Sequence, residues 1–168
     1  QMMDRWLPPS RRGAGYEYRA GLTWKTLDTI KEMAGLPFIL KGVATAEDAA
    51  IAIDHGVSAI YVSNHGGRPL DHGRATIDML PEILEVAGNK AEIILDGGIL
   101  RGSDVIKAIA LGARAVAIGK LQGWGLAAGG EAGLLRVLEI LESEIVTTMG
   151  LLGIARLDQL TSSYLCKV

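Results

Sequence analysis

Four short apolar runs recur along the chain, and the segments between them carry apolar residues at helical spacing. Each run is bounded by glycine, proline or polar residues, which is typical of a strand buried on both faces of a parallel sheet. The predicted strands are Pro37–Gly42, Ala59–Asn64, Ala91–Asp96 and Ala115–Lys120.

Capping residues mark where the helices between these strands begin and end. Thr45 and Ser103 each precede a helical pattern, and a hydroxyl at this position accepts a hydrogen bond from the first turn. Gly35, Gly56 and Gly112 follow helical patterns and predict their ends. The predicted helices are Trp24–Ala34, Thr45–His55, Thr76–Ala87, Ser103–Gly112 and Glu131–Met149.

This alternation predicts an α/β fold built from β/α units on a parallel sheet. The segment Gly56–Val62 resembles Gly112–Ile118, an internal repeat spanning two β/α units. A barrel and an open doubly wound sheet would both produce that repeat. Residues 1–23, rich in proline and glycine, are predicted to be an irregular loop, and residues 24–168 to form the domain.

Polar residues at the carboxyl ends of the predicted strands favour the (β/α)₈ TIM barrel. In that fold the carboxyl ends of all strands converge on one face, where the chemistry takes place. Four strands make only half of such a barrel and leave two sheet edges unpaired. We therefore expect a complementary half, on a separate chain or a cleaved fragment. The polar residues are Lys41, Ser63, Asn64, His65, Asp96 and Lys120.

Composition narrows the class of partner. The chain is 49% hydrophobic and 21% charged. Its net charge is −2, so the composition gives no reason to expect nucleic acid as a partner. The sequence contains no run of eighteen apolar residues, so it predicts no membrane-spanning helix. A single cysteine and the lack of a secretory signal predict a cytoplasmic protein.

The segment Ser63–Asp71 carries the most informative chemistry. Its residues are Ser-Asn-His-Gly-Gly-Arg-Pro-Leu-Asp, so His65 and Arg68 are bent around two glycines. A histidine accepts a proton near neutral pH, and an arginine binds a carboxylate through two parallel hydrogen bonds. A His-x-x-Arg pair alone would fit a solvated loop equally well.

The whole segment resembles the signature of the FMN-dependent 2-hydroxy acid oxidases and dehydrogenases. That family, which includes glycolate oxidase, lactate oxidase and mandelate dehydrogenase, usually reads Ser-Asn-His-Gly-Gly/Ala-Arg-Gln-Leu-Asp. The resemblance extends from about Trp24 to Leu160 and implies strands 5–8 of a TIM barrel. It implies that FMN is the cofactor, that His65 is the catalytic base and substrate contact, and that Arg68 holds the substrate carboxylate.

The resemblance also implies a set of residues around FMN. Ser63 would face the flavin, and Lys41 would lie by its N1 and O2 atoms, where a fixed cation favours reduction. The segment Asp96–Asp104 joins a strand to a helix through glycines that suit close approach of a phosphate. The implied FMN residues are Lys41, Ser63, Asp96, Gly97, Gly98, Arg101, Gly119 and Lys120.

Three positions depart from the family pattern. Pro69 stands where the family usually has glutamine, and Leu100 where it usually has arginine. Lys120 follows Gly119 in place of the usual arginine, which keeps the charge but loses the bidentate fork. The changes at Leu100 and Lys120 indicate weaker FMN binding or an unusual substrate.

The resulting hypothesis is oxidation of a small L-2-hydroxy acid to the 2-oxo acid, with oxygen or another acceptor reoxidising FMN. We expect a homo-oligomer. One alternative is another FMN- or phosphate-binding barrel enzyme, such as a flavin-dependent isomerase. The other is a non-catalytic half-barrel subunit.

Overall fold

The computed structural model describes residues 21–70 and 72–166. Residues 21–23 lie in neither helix nor strand, and the rest of the predicted loop 1–23 lies outside the described residues. The strands are β1 (Ile39–Val43), β2 (Ala59–Val62), β3 (Glu92–Asp96) and β4 (Ala115–Ala117). The helices are α1 (Trp24–Ala34), α2 (Ala46–Asp54), α3 (Thr76–Ala87), α4 (Gly102–Leu111) and α5 (Lys120–Leu152). Short 3₁₀ turns span His65–Gly67, Leu157–Gln159 and Ser162–Tyr164.

The four strands form one parallel sheet in the order β1-β2-β3-β4. Each β/α unit therefore lies beside the next, as in one side of a barrel, which confirms the predicted partial (β/α)₈ fold. Apolar side chains on the helix-facing side of the sheet are buried against the helices. The largest fully buried apolar residues are Ile60 and Leu95 of the sheet and Leu80 and Ile83 of α3.

The opposite face of the sheet corresponds to the barrel interior. Because strand side chains alternate between faces, Tyr61 and Ile94 point away from the helix-packed core and are only partly buried. Within the described residues, no helix is long and apolar enough to cross a bilayer.

The start of α4 differs from the prediction that Ser103 caps it. The N-cap residue is Arg101, and Ser103 lies inside the first turn. The Asp104 carboxylate accepts hydrogen bonds from the backbone N–H groups of Leu100 and Arg101 at 3.1 and 3.0 Å. Glu144 accepts the N–H of Gly102 at 2.7 Å. Two carboxylates thus perform the capping that the serine hydroxyl was expected to provide.

The fourth strand and the last helix also differ from the prediction. Strand β4 ends at Ala117, and Lys120 is the first residue of α5 instead of the last residue of a strand. Helix α5 is interrupted at Gly129 and Gly130, whose backbone angles are not helical. The segment after this kink corresponds to the predicted helix Glu131–Met149, whereas the segment before it was not predicted. The Thr45 cap is confirmed, because its hydroxyl accepts the N–H of Asp48 at 3.1 Å.

Candidate active site

An open pocket of about 990 Å³ lies at the carboxyl ends of the strands. The loops after β2 and β3 and the start of α5 surround it, with Trp124 at its α5 side. Most of the residues that the sequence singled out are brought together here. Those lining the pocket are Lys41, Asn64, His65, Arg68, Asp96, Gly97, Gly98, Gly119 and Lys120.

Lys41, which lines this pocket, is held by groups from two other strand ends. Its ammonium lies 3.0 Å from the Ser63 hydroxyl and 3.2 Å from an Asp96 carboxylate oxygen. Ser63 is buried and Asp96 is mostly buried, so the cation is fixed between a hydroxyl and a negative charge. The predicted lysine, serine and aspartate therefore form one network that crosses from β1 to β3.

Tyr61 belongs to the same network, although the sequence reasoning did not select it. The Lys41 ammonium lies 4.9 Å from the centroid of the Tyr61 ring, within cation–π range. Burial, and then the charge of Asp96, raises the pKa of Tyr61 above its usual value, so the phenol stays neutral. The period of two along β2 was the available signal, because Tyr61 lies two residues before Ser63 and shares its face.

His65 adopts a left-handed backbone conformation, with φ of 53°. A non-glycine residue adopts this conformation only when its surroundings impose it. The backbone N–H of His65 donates to the Ser63 hydroxyl at 3.1 Å, and the Asn64 side chain accepts the N–H of Gly67 at 3.2 Å. The Asn64 amide in turn donates to the Arg74 carbonyl at 3.3 Å. These bonds fix the turn that carries the predicted base.

Two cations are attached to the His65 turn. The Arg68 Nε donates to the His65 carbonyl at 3.2 Å, and Arg68 is otherwise exposed to the pocket. The Lys120 ammonium donates to the Gly66 carbonyl at 2.9 Å. Lys120 therefore connects the start of α5 to the loop after β2, on the opposite side of the pocket.

The residues present fit a phosphate group at the start of α5. The N-cap residue Gly119 provides no side-chain cap, and Gly119, Lys120 and Leu121 line the pocket, so the first N–H groups of α5 are available to an anion. Gly97 and Gly98 have φ of 98° and 79°, and they bring backbone close to the same space. The start of α4 is already capped by two carboxylates and does not offer such a site.

Two predicted cofactor residues, Ser63 and Arg101, do not line the pocket. Ser63 still contacts the pocket residue Lys41, whereas the Arg101 side chain is bound elsewhere. The Nε and Nη2 atoms of Arg101 lie 2.8 and 2.7 Å from Glu144 on α5. Hydrogen bonding to Arg101 lowers the pKa of Glu144, and the same bond raises the pKa of Arg101. The sequence reasoning missed Glu144, because nothing local to α5 shows which helix it faces.

Residues 7–167 match the FMN-dependent dehydrogenase family. The chain belongs to this family. It is 48% identical over 144 residues to an L-lactate oxidase from Nostoc sp., a match that covers 86% of this chain and 40% of the relative. It is 51% identical over 139 residues to a pre-mycofactocin synthase from Mycobacterium tuberculosis, covering 83% of this chain and 35% of the relative.

Solved structures support the same family and the barrel fold. A variant flavocytochrome b2 with sulfite bound superposes with a TM-score of 0.81 at 38% identity, covering 85% of this chain and 38% of that one. A mandelate oxidase superposes with a TM-score of 0.76 at 44% identity, covering 79% of this chain and 40% of that one. The chain thus spans about 40% of the length of the relatives it matches.

Proposed function

We propose that the protein carrying this chain oxidises a small L-2-hydroxy acid to the 2-oxo acid, with FMN as cofactor. The single observation that carries this proposal is that His65 and Arg68 share one fixed turn, in the same pocket as the Lys41–Ser63–Asp96 network. Membership of an FMN-dependent family and relatives named lactate oxidase and 2-hydroxyacid oxidase support it.

The proposed cofactor site divides into a phosphate end and a ring end. Gly97, Gly98, Gly119 and Lys120 would hold the phosphate, supported by the open start of α5. Lys41 and Ser63 would face the ring, where a fixed cation stabilises negative charge. When bound, FMN would supply the acceptor for two electrons. Arg101, which was predicted to belong here, is left out because Glu144 binds it.

The proposed substrate roles follow from charge and exposure. Arg68 presents its guanidinium to the pocket and would bind the substrate carboxylate through two parallel hydrogen bonds. His65 is exposed, so its ring is accessible to the proton that the hydroxy acid loses on oxidation. The proton would leave from the carbon or from the hydroxyl oxygen, and the two routes share this geometry.

The barrel requires further strands, because β1 and β4 each have one unpaired edge in the four-stranded sheet. We propose that an N-terminal half-barrel, on the same or a separate polypeptide, supplies them. A homo-oligomeric state and a cytoplasmic location remain predictions from the sequence.

A second candidate function is favoured by one specific observation. The pre-mycofactocin synthase has a slightly higher identity to this chain, 51% over 139 residues, than the lactate oxidase, 48% over 144 residues. The same turn and cation could therefore serve FMN-dependent oxidation of a substrate outside the small 2-hydroxy acids. A substrate panel that extends beyond 2-hydroxy acids separates the two candidates.

The proposed function is tested by anaerobic reduction of the bound flavin with a panel of 2-hydroxy acids. Loss of a general base typically costs about 10²–10⁴ in rate, so His65→Ala should slow reduction by that factor while substrate still binds. His72→Ala is the matched control, since His72 is also a left-handed, exposed histidine but lies outside the pocket lining.

Two outcomes would contradict the proposal. Reduction of His65→Ala at the parental rate would remove His65 as the base. A parental protein that binds FMN but is reduced by no 2-hydroxy acid would favour the second candidate or a non-catalytic half-barrel.

A further inference from the structure

Gly42 interrupts the regular pairing of β1 with β2. Lys41 pairs with Tyr61 and Val43 pairs with Val62, so Gly42 is an extra residue with no partner on β2. Its φ is 100°, a left-handed value that favours glycine. Such a bulge bends the strand locally, and bulges of this kind commonly redirect a side chain beside an active site.

The bulge changes which way the neighbouring side chains point. In a regular strand Lys41 and Val43 would lie on the same face, because side chains repeat every two residues. Instead, Lys41 lines the pocket whereas Val43 is 4% exposed and packs in the core under the helices. The extra residue thus lets Lys41 face the pocket while Val43, two positions later, faces the core.

The space beside Gly42 is occupied by the ring of His65. A Cβ atom on Gly42 would lie 2.8 Å from His65 Cε1, and 3.6 and 3.7 Å from Nε2 and Nδ1. The first distance is well inside van der Waals contact, so the ring rests with its Cε1 edge against the bare backbone of β1. A side chain at position 42 and the present position of the imidazole are incompatible.

We propose that Gly42 is a positioning residue for His65: the His65 ring packs against the backbone of the β1 bulge, and this contact fixes the direction of the imidazole. Hydrogen bonds to Ser63 and Lys120 hold the backbone of the turn but leave the side-chain torsions of His65 free. Contact with Gly42 restrains the ring itself. The kinetic part of this inference rests on the proposed function, since it assumes that His65 is the base.

The first experiment compares Gly42→Ala with Gly35→Ala in the FMN-loaded protein that carries this chain. Gly35 also has a positive φ, of 59°, and a Cβ atom added there would meet no other atom within 4 Å, so it tests a left-handed position without the contact. The larger backbone cost of alanine at the φ of 100° of Gly42 cancels in the second experiment. A displacement of about 1 Å from productive geometry can lower a rate about 10²-fold. We expect Gly42→Ala to slow flavin reduction by about that factor with little change in substrate dissociation constant. Gly35→Ala should keep the parental rate, and equal rates in both variants would overturn the proposal.

The second experiment repeats Gly42→Ala in a His65→Ala background and measures both rate and Tm. If Gly42 acts through the ring, the change costs no further rate there, and its Tm loss is smaller than in the parental protein. Equal Tm losses in both backgrounds would overturn the proposal, as would a double variant that fails to fold. Because the Tm comparison needs no turnover, it stands even if 2-hydroxy acids prove not to be substrates.

Discussion

The Lys41 ammonium lies within contact distance of a hydroxyl, a carboxylate and an aromatic ring. Asp96 offsets its charge, and Ser63 links it to the backbone of His65. Lys120, in contrast, is exposed and binds only a backbone carbonyl among the described residues. The two lysines therefore occupy different electrostatic surroundings, and their removal should affect FMN in different ways.

Lys120→Ala should weaken binding of FMN but not of riboflavin, which lacks the phosphate. A hydrogen bond to a charged group contributes roughly 1.5–3 kcal/mol, so we expect the FMN dissociation constant to rise about 10- to 100-fold. Lys41→Ala should alter both affinities alike, since Lys41 is assigned to the ring. Lys25→Ala, an exposed lysine outside the pocket lining, is the control. Fluorescence titration measures all three, and equal weakening of riboflavin by Lys120→Ala would remove Lys120 from the phosphate site.

At the scale of elements, one carboxylate joins the start of α4 to α5, beside the apolar packing of Ile106 against Ile145. Glu144 binds the Arg101 side chain and the Gly102 N–H together. A Cβ on Gly102 would lie 2.5 Å from the Glu144 Cβ, so this helix start also needs glycine for the close approach. The same contact binds the Arg101 guanidinium, which is why we assign the proposed phosphate site to the start of α5 and not to α4.

The stability that Glu144 contributes should depend on pH. Its pKa is lowered in the folded chain, so the contribution is present above the unfolded value of about 4.5 and is lost as pH falls through the folded value. Glu144→Gln should therefore lower Tm at pH 7, and the difference from the parent should shrink towards pH 3. Glu142→Gln, an exposed neighbour on α5, should leave Tm unchanged at both. A pH-independent loss in Glu144→Gln would show that packing, not charge, is what matters.

Local patterns predicted the elements well where the signal lies within one element. The four strands, the Thr45 cap and the parallel order follow from apolar runs and capping residues, and the Ser63–Asp71 segment located the pocket. The predictions failed where a contact with a residue distant in sequence determines the local structure. Glu144, not Ser103, caps the start of α4: it accepts the N–H of Gly102, which lies 42 positions away in sequence. Neither the contact of His65 with Gly42 nor that of Lys120 with Gly66 is visible until β1, β2 and α5 are packed together.

At the scale of the whole molecule, the described half-barrel exposes apolar surface that a barrel would cover. Met33, Leu36 and Ile39, which lie between the end of α1 and the start of β1, are 83%, 72% and 50% exposed. Leu135 and Leu138 on α5 are also exposed. In the four-stranded sheet, β1 and β4 each have one unpaired edge. Exposed apolar residues and unpaired edges are the features that we expect if further β/α units attach.

This exposure predicts how residues 1–168 behave with and without the missing strands. Expressed alone, they should bind a hydrophobic dye such as ANS and melt without a sharp transition, because an open sheet edge and a half-covered core leave the packing incomplete. Adding a polypeptide that supplies the other four β/α units should abolish dye binding, sharpen the melt and raise affinity for FMN. Dye fluorescence and thermal unfolding, each with and without the complement, measure this. A cooperative, dye-free monomer of 168 residues would contradict it, because the apolar edges would then be covered by the chain itself.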